Sequence, residues 1–265
     1  MANVTRRAKA VNDWNDFDLA AYNIRVEYQD ATTFFDPPRL PDPIVTAEEV
    51  LEVTRPDQTT TDDGYALLRM LQEAIDSIME NEESAVHNFA AELFRACGYT
   101  WRGRFVRTRK DILFLTCGEF KYAKADACIL NDKDQVILLV HEHRSHFHGV
   151  EHEDQVAQLI VKSIAAFTEL EYKSERSCHL PFKIMPGIIF HGVSPTFYKI
   201  SVSEDLVTAI EWGQYPKQET VVLAHVPTKT VLVPYSCNPD SEGMWPLHKR
   251  RVILSCFEAF KRFVN

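Results

Sequence analysis

The chain lacks any paired-cysteine motif. Its six cysteines (Cys97, Cys117, Cys128, Cys178, Cys237 and Cys256) are scattered singly with no CxxC spacing, which argues against a zinc ribbon or a disulfide framework and for reduced thiols. Four of them (Cys97, Cys117, Cys128 and Cys256) fall within apolar-periodic segments and read as small buried hydrophobes. No stretch approaches the roughly 18 uninterrupted apolar residues of a membrane span. The opening MANVTRRAKAVNDWND has no apolar h-region, so a secretory signal is not expected and a cytoplasmic or nuclear protein is. Positive charge is in deficit: the formal net charge is -9. That argues against coating nucleic acid or an anionic membrane as the main task, while leaving room for a local basic patch. Internal repeats and long low-complexity tracts are absent too.

What is present suits a globular core. The chain has 265 residues, 45% of them hydrophobic, with sixteen Phe, enough for one large domain or two small ones. Residues 1–62 read as an extended, proline-containing arm, because DPPRLPDPI (36–44) and RPDQTTTDDG (55–64) are rich in turn formers and poor in regular periodicity. Residues 63–265 read as a single α/β domain.

Within that domain the pattern changes element by element. Leu67, Leu68, Leu71, Ile75 and Ile78 recur at helical spacing. A second amphipathic helix is expected in ESAVHNFAAELFRACGY, with Val86, Phe89, Leu93 and Phe94 on its apolar face and Gly98 ending it. Strands follow at DILFLTC (111–117), FKYAKADACIL (120–130) and QVILLV (135–140), the last two joined by the turn former NDKD. EDQVAQLIVKSIAAFTEL then predicts a helix and KIMPGIIFHG (183–192) a strand, a plausible right-handed crossover from QVILLV. Beyond it TFYKISV and TVVLAHV read as strands. SEDLVTAIEWG reads as a helix capped by Ser203, and PLHKRRVILSCFEAFKRFV as a helix opening on proline. The fold class is α/β (α+β).

Three acids fall where this outline converges. Glu83 opens a helix, Asp126 lies on the second strand, and Glu142 ends the third in VHEHRSHFH, with Arg144 two residues on. Residues two apart on a strand share a face. Carboxylate oxygens are what a hard divalent cation takes, and a cation beside them stabilises charge on a phosphate.

Glu83 on a helix, Ala125-Asp126 on a strand and Glu142-His143-Arg144 after an apolar strand together resemble the PD-(D/E)xK nuclease superfamily. Gln155 and Gln158 on the next helix resemble the glutamine carried by some branches. Through SPTFYKI and CFEAFKRFV the chain is also similar to fungal proteins of this type. The resemblance implies a restriction-endonuclease-like αβββαβ core over about 80–192, with appended C-terminal strands and helices. It implies metal-dependent phosphodiester hydrolysis in DNA or RNA with Mg²⁺ or Mn²⁺, Asp126 and Glu142 as metal ligands and Glu83 as an accessory ligand. Two departures stand out. Ala125 precedes Asp126 where the family has Pro, and Arg144 stands for the family's lysine. Arginine keeps the charge and can clamp a phosphate, but cannot readily give up a proton.

This reading carries a register condition. Direct pairing of Leu130 with Gln135 would set Asp126 opposite Leu139, on the face away from Glu142. A loop one residue longer, or a bulge, would set it opposite Val140 and restore a shared face.

Two further features need assignment. His141 and His143 share a strand face and could hold a metal together, with His146, His148 and His152 following, yet HEHRSHFH matches no fixed zinc spacing. His143 and His87, four residues after Glu83, are expected as accessory groups near the site. The segment WRGRFVRTRK (101–110) offers Arg102, Arg104, Arg107, Arg109 and Lys110, interleaved with Trp101 and Phe105, for phosphate contact. The basic Lys249-Arg250-Arg251 triplet marks a partner contact worth testing. Three functions therefore compete: a nuclease, a catalytically inactive nuclease-fold protein that binds nucleic acid or a protein, and a histidine-rich metal binder.

Overall fold

Two kinds of hydrophobic periodicity build the structure: period two in the strands, and a 3.6-residue stripe in the helices that cover them. A computed structural model of the chain describes residues 6–36, 39–80, 83–142, 152–173, 181–227 and 243–264. Among these, seven strands form one mixed sheet: β1 (Ile24–Tyr28), β2 (Arg104–Thr116), β3 (Glu119–Asn131), β4 (Val136–Glu142), β5 (Phe182–His191), β6 (Ser194–Ser203) and β7 (Thr220–His225). Their order is β1-β7-β6-β5-β4-β3-β2. The β1/β7 and β4/β5 pairs are parallel and the others antiparallel. The helices are α1 (Asp16–Ala21), α2 (Ala31–Phe35), α3 (Asp62–Glu80), α4 (Glu83–Ala96), α5 (His152–Lys173), α6 (Glu204–Glu211) and α7 (Leu247–Phe260). None of the described helices is long and apolar enough to cross a membrane.

Each face of the sheet carries its own core. On one, Leu138, Val140, Ile188 and Phe190 pack with Phe89 and Leu93 of α4, Leu68 and Leu71 of α3, and Phe257 of α7. On the other, Leu139, Ile189, Tyr198 and Val222 pack with Leu159, Ile160 and Phe167 of α5 and Ile210 of α6. The crossover helix α5 lies close against β5 because Gly187 has no side chain. A Cβ there would sit 2.9 Å from Leu159 Cδ2. Gly187→Ala is expected to cost about 1–3 kcal/mol through overpacking, read as a lowered urea midpoint at unchanged slope.

The expected N-terminal arm is not detached. Residues 6–62 supply the edge strand β1, the helices α1 and α2, and the buried side chains Trp14, Tyr22, Phe34, Phe35 and Val50. Ile24–Tyr28 reads IRVEY, too short and too charged to announce a strand. Pairing with β7 supplies the backbone partners that make it one.

Of the Lys249-Arg250-Arg251 triplet, Arg250 is turned to the interior of the fold, while Lys249 is half-buried and Arg251 exposed. Arg250 is 1% exposed. It donates to the carbonyls of Met244 (2.9 Å), Val50 (2.9 Å), Val53 (2.8 Å) and Trp245 (3.0 Å). Arg251 donates to Leu51 O at 2.7 Å. Two of the three cations thus tie α7 to the N-terminal segment.

Candidate functional site

The site is decided by the register of β3 on β4. Asn131 N donates to Gln135 O at 3.0 Å, and Leu130 pairs with Val136. The turn is therefore one residue longer than the direct Leu130–Gln135 pairing. A bulge then intervenes between Ile129 and Leu130, so Ile129 pairs with Leu138, Cys128 with Leu139 and Ala127 with Val140. Longer turn or bulge alone would have set Asp126 opposite Val140. Together they shift the register by two, and one step past the Ala127–Val140 pair Asp126 meets His141.

That meeting is a contact between side chains. Asp126 Oδ2 lies 2.5 Å from His141 Nδ1. Lys162 of α5 completes the group, its Nζ 3.1 Å from the same carboxylate oxygen and 2.9 Å from His141 Nδ1. Helical side chains lean toward the helix N-terminus, which lets Lys162 reach back toward the end of β4. All three are buried, at 5%, 3% and 2% exposure for Asp126, His141 and Lys162. Burial pushes the Asp126 carboxyl up. The hydrogen bond to His141 and the charge of Lys162 outweigh it and hold the group well below the usual carboxylate range.

Position 142 falls on the other side. Glu142 closes β4 and pairs with Phe190. It has the strand parity of Leu138 and Val140, which belong to the α3/α4/α7 core, whereas Asp126 contacts α5. Glu83 is the first residue of α4, a helix of the same core as Val140. The side chains of Glu83 and Glu142 lie outside the described part, as do His143, Arg144, His146 and His148 altogether. By register, position 142 thus has the opposite strand parity to His141, which stands opposite Asp126. His141, weighed with His143 as a possible metal pair, contacts Asp126 and Lys162, and His143 lies outside the described residues.

The other predicted residues disperse. Gln155 is buried on α5, and its Oε1 has no hydrogen-bond partner among the described residues. Gln158 instead donates to Asn12 O at 3.3 Å. His87 is half-buried on α4. In the basic segment Arg102, Arg107 and Arg109 are exposed. Arg104 donates to Val264 O at 2.7 Å and stacks over Trp101 at 4.2 Å. Lys110 departs from its expected role in phosphate contact. It is buried, and its Nζ lies 3.0 Å from both carboxylate oxygens of Glu169 on α5. The cause is local: Arg109 takes a left-handed backbone (φ 53°). Val106 packs toward the α4 side, while Ile112 and Phe114 pack toward α5.

Among the described residues no group of three or more His, Cys, Asp or Glu could hold a metal ion. A hard cation such as Mg²⁺ or Mn²⁺ takes several oxygen ligands. Here Asp126 Oδ2 is already shared by an ammonium and an imidazole. The two other acids expected as ligands, Glu83 and Glu142, have side chains outside the described residues.

Lys162 was the residue missed from sequence. Its signal was a lone lysine inside the apolar run Leu159-Ile160-Val161-Lys162-Ser163-Ile164. No protein-family model matches this chain, and no curated protein matches it.

Proposed function

We propose that the chain is a nucleic-acid-binding protein on a nuclease-type core, in which Asp126 is committed to an internal ion cluster instead of a catalytic centre. The succession α4, β2, β3, β4, α5, β5, with β4 parallel to β5, supports the αβββαβ reading. The observation that carries the non-catalytic choice is the Lys162 ammonium 3.1 Å from Asp126 Oδ2 in a buried setting. The exposed Arg102, Arg107 and Arg109 beside Trp101 and Phe105 supply the polyanion contact.

Metal-dependent hydrolysis of DNA or RNA with Mg²⁺ or Mn²⁺ is the second reading, favoured by the same order of elements. It requires Lys162 to leave Asp126. The test mixes purified protein with labelled single- and double-stranded DNA and RNA, in EDTA and in each metal. The expected result is binding that weakens steeply with salt, falls in an Arg102→Ala/Arg107→Ala variant, and leaves every substrate intact. Absence of binding to any of them overturns the proposal. Metal-dependent cleavage abolished by Asp126→Asn replaces it with the second reading.

A further inference from the structure

The outer half of the β2–β3 hairpin has one face in the core and one in solvent. Inward, Ile112, Phe114, Ala123 and Ala125 are buried with α5 and α6. Outward, three cross-strand pairs follow one another: Asp111 with Lys124, Leu113 with Tyr122, and Leu115 with Phe120. Three of these are large hydrophobics left in water, Leu113 at 42%, Phe120 at 64% and Tyr122 at 69% exposure. A contiguous exposed apolar patch on a strand face marks an interaction surface, where single exposed residues would not.

We propose that this face binds single-stranded nucleic acid, with bases stacked on Phe120 and Tyr122 and phosphates held by Lys124 and Arg109. The inference rests on the nucleic-acid reading above and names its substrate class. Phe120 and Tyr122 are two residues apart on β3, so their rings stand off the same face about 7 Å apart along the strand. Aromatic side chains on an open sheet face take the unstacked bases of a single strand, and a duplex keeps those base faces hidden.

The charge beside the rings is complementary to phosphate. Lys124 is next on the same row, and Arg109 follows Lys110 and Asp111 back along β2; Lys124 and Arg109 are both exposed. Arg107, beyond the left-handed Arg109, pairs with buried Cys128 and belongs to the opposite face. Asp111, directly opposite Lys124, is the acid on that face. Glu119, at the hairpin tip, is paired with Lys121 at 2.8 Å. The aromatic pair thus has Lys124 beside it on the same face, with Arg109 where that face ends.

The test measures binding of fluorescein-labelled (dT)12, a U12 oligonucleotide and a 12-base-pair DNA duplex at several salt concentrations. Parent protein is compared with Phe120→Ala/Tyr122→Ala, Lys124→Ala/Arg109→Ala and Arg102→Ala/Arg107→Ala. Both aromatic positions are exposed, so the variants fold, and a far-ultraviolet spectrum checks this. The expected result is preference for the single strands over the duplex, with affinity reduced about tenfold for each aromatic ring removed. The salt slope should fall by about 0.7 for each cation removed. If the aromatic variant binds (dT)12 and U12 as tightly as the parent while Arg102→Ala/Arg107→Ala weakens them, the stacking face is wrong and the nucleic-acid reading survives. If the parent binds none of the three probes, both fall.

Discussion

Lys162→Met is expected to destabilise the fold by roughly 3–5 kcal/mol, because it strands an ionised carboxylate beneath α5. The substitution keeps the aliphatic volume of the lysine stem, so little of the loss arises from a cavity. Asp126→Asn alone removes the carboxylate charge beside the ammonium and should cost a similar amount. In the double variant Asp126→Asn/Lys162→Met neither charge remains, and much of the loss should return, giving a coupling energy of opposite sign to the single effects. Urea unfolding of the four proteins closes this cycle. Additive losses would mean that the two groups do not act as a pair.

The same cluster sets an acid limit. Asp126 has a folded-state pKa below its unfolded value of about 4. Its stabilisation is therefore complete above that unfolded value and is lost as pH falls toward the folded one. Asp30 and Glu49 are each lowered to about 2, chiefly by hydrogen bonds from Thr32 and from Thr61 respectively, and titrate in the same range. The informative quantity is accordingly the difference between parent and Asp126→Asn/Lys162→Met. The parent's advantage should shrink as pH is lowered below about 4. A difference flat in pH would contradict the depressed carboxylate.

The second large effect is expected at Arg250. Arg250→Ala removes a buried guanidinium that satisfies four backbone carbonyls, leaving them without partners at the junction of α7 and residues 50–53. Charged hydrogen bonds are individually worth about 1.5–3 kcal/mol and are not additive, so a loss of roughly 3–5 kcal/mol is expected. Burial lowers the pKa of Arg250 to about 10, so it stays protonated at neutral pH. Arg250→Lys keeps the charge without the planar fork, and should recover only a minor part. Hydrogen exchange locates the damage: protection should fall in residues 45–53 as well as in α7. Loss confined to α7 would show that the N-terminal segment is held by other contacts.

Much of the architecture was legible in the sequence because periodicity is a local property. The stripe Val86, Phe89, Leu93, Phe94 announced α4, and Val156, Leu159, Ile160, Ile164, Phe167 announced α5. Ser203 caps α6 through Leu206 N at 3.2 Å, as its position suggested. Asn131 begins the turn that NDKD predicted, its Oδ1 accepting from Lys133 N and Gln135 N. Asp126 was singled out as one of three acids falling where the outline converges, and its burial makes it the centre of the ion cluster.

What the sequence could not supply was which charges face inward, and against what. Lys162, Lys110 and Arg250 are written in the same letters as surface cations. They are internal because Asp126, Glu169 and the carbonyls of Val50 and Val53, 36 to 200 residues away, offer compensation that lets a cation be buried. Strand β1 exists because β7 lends it partners from the far end of the chain. The register of β3 on β4 came from a longer turn and a bulge acting together, each invisible to a period-two pattern that survives a shift of two unchanged. Local periodicity set the elements; long-range charge compensation and a two-residue shift set the neighbours of Asp126.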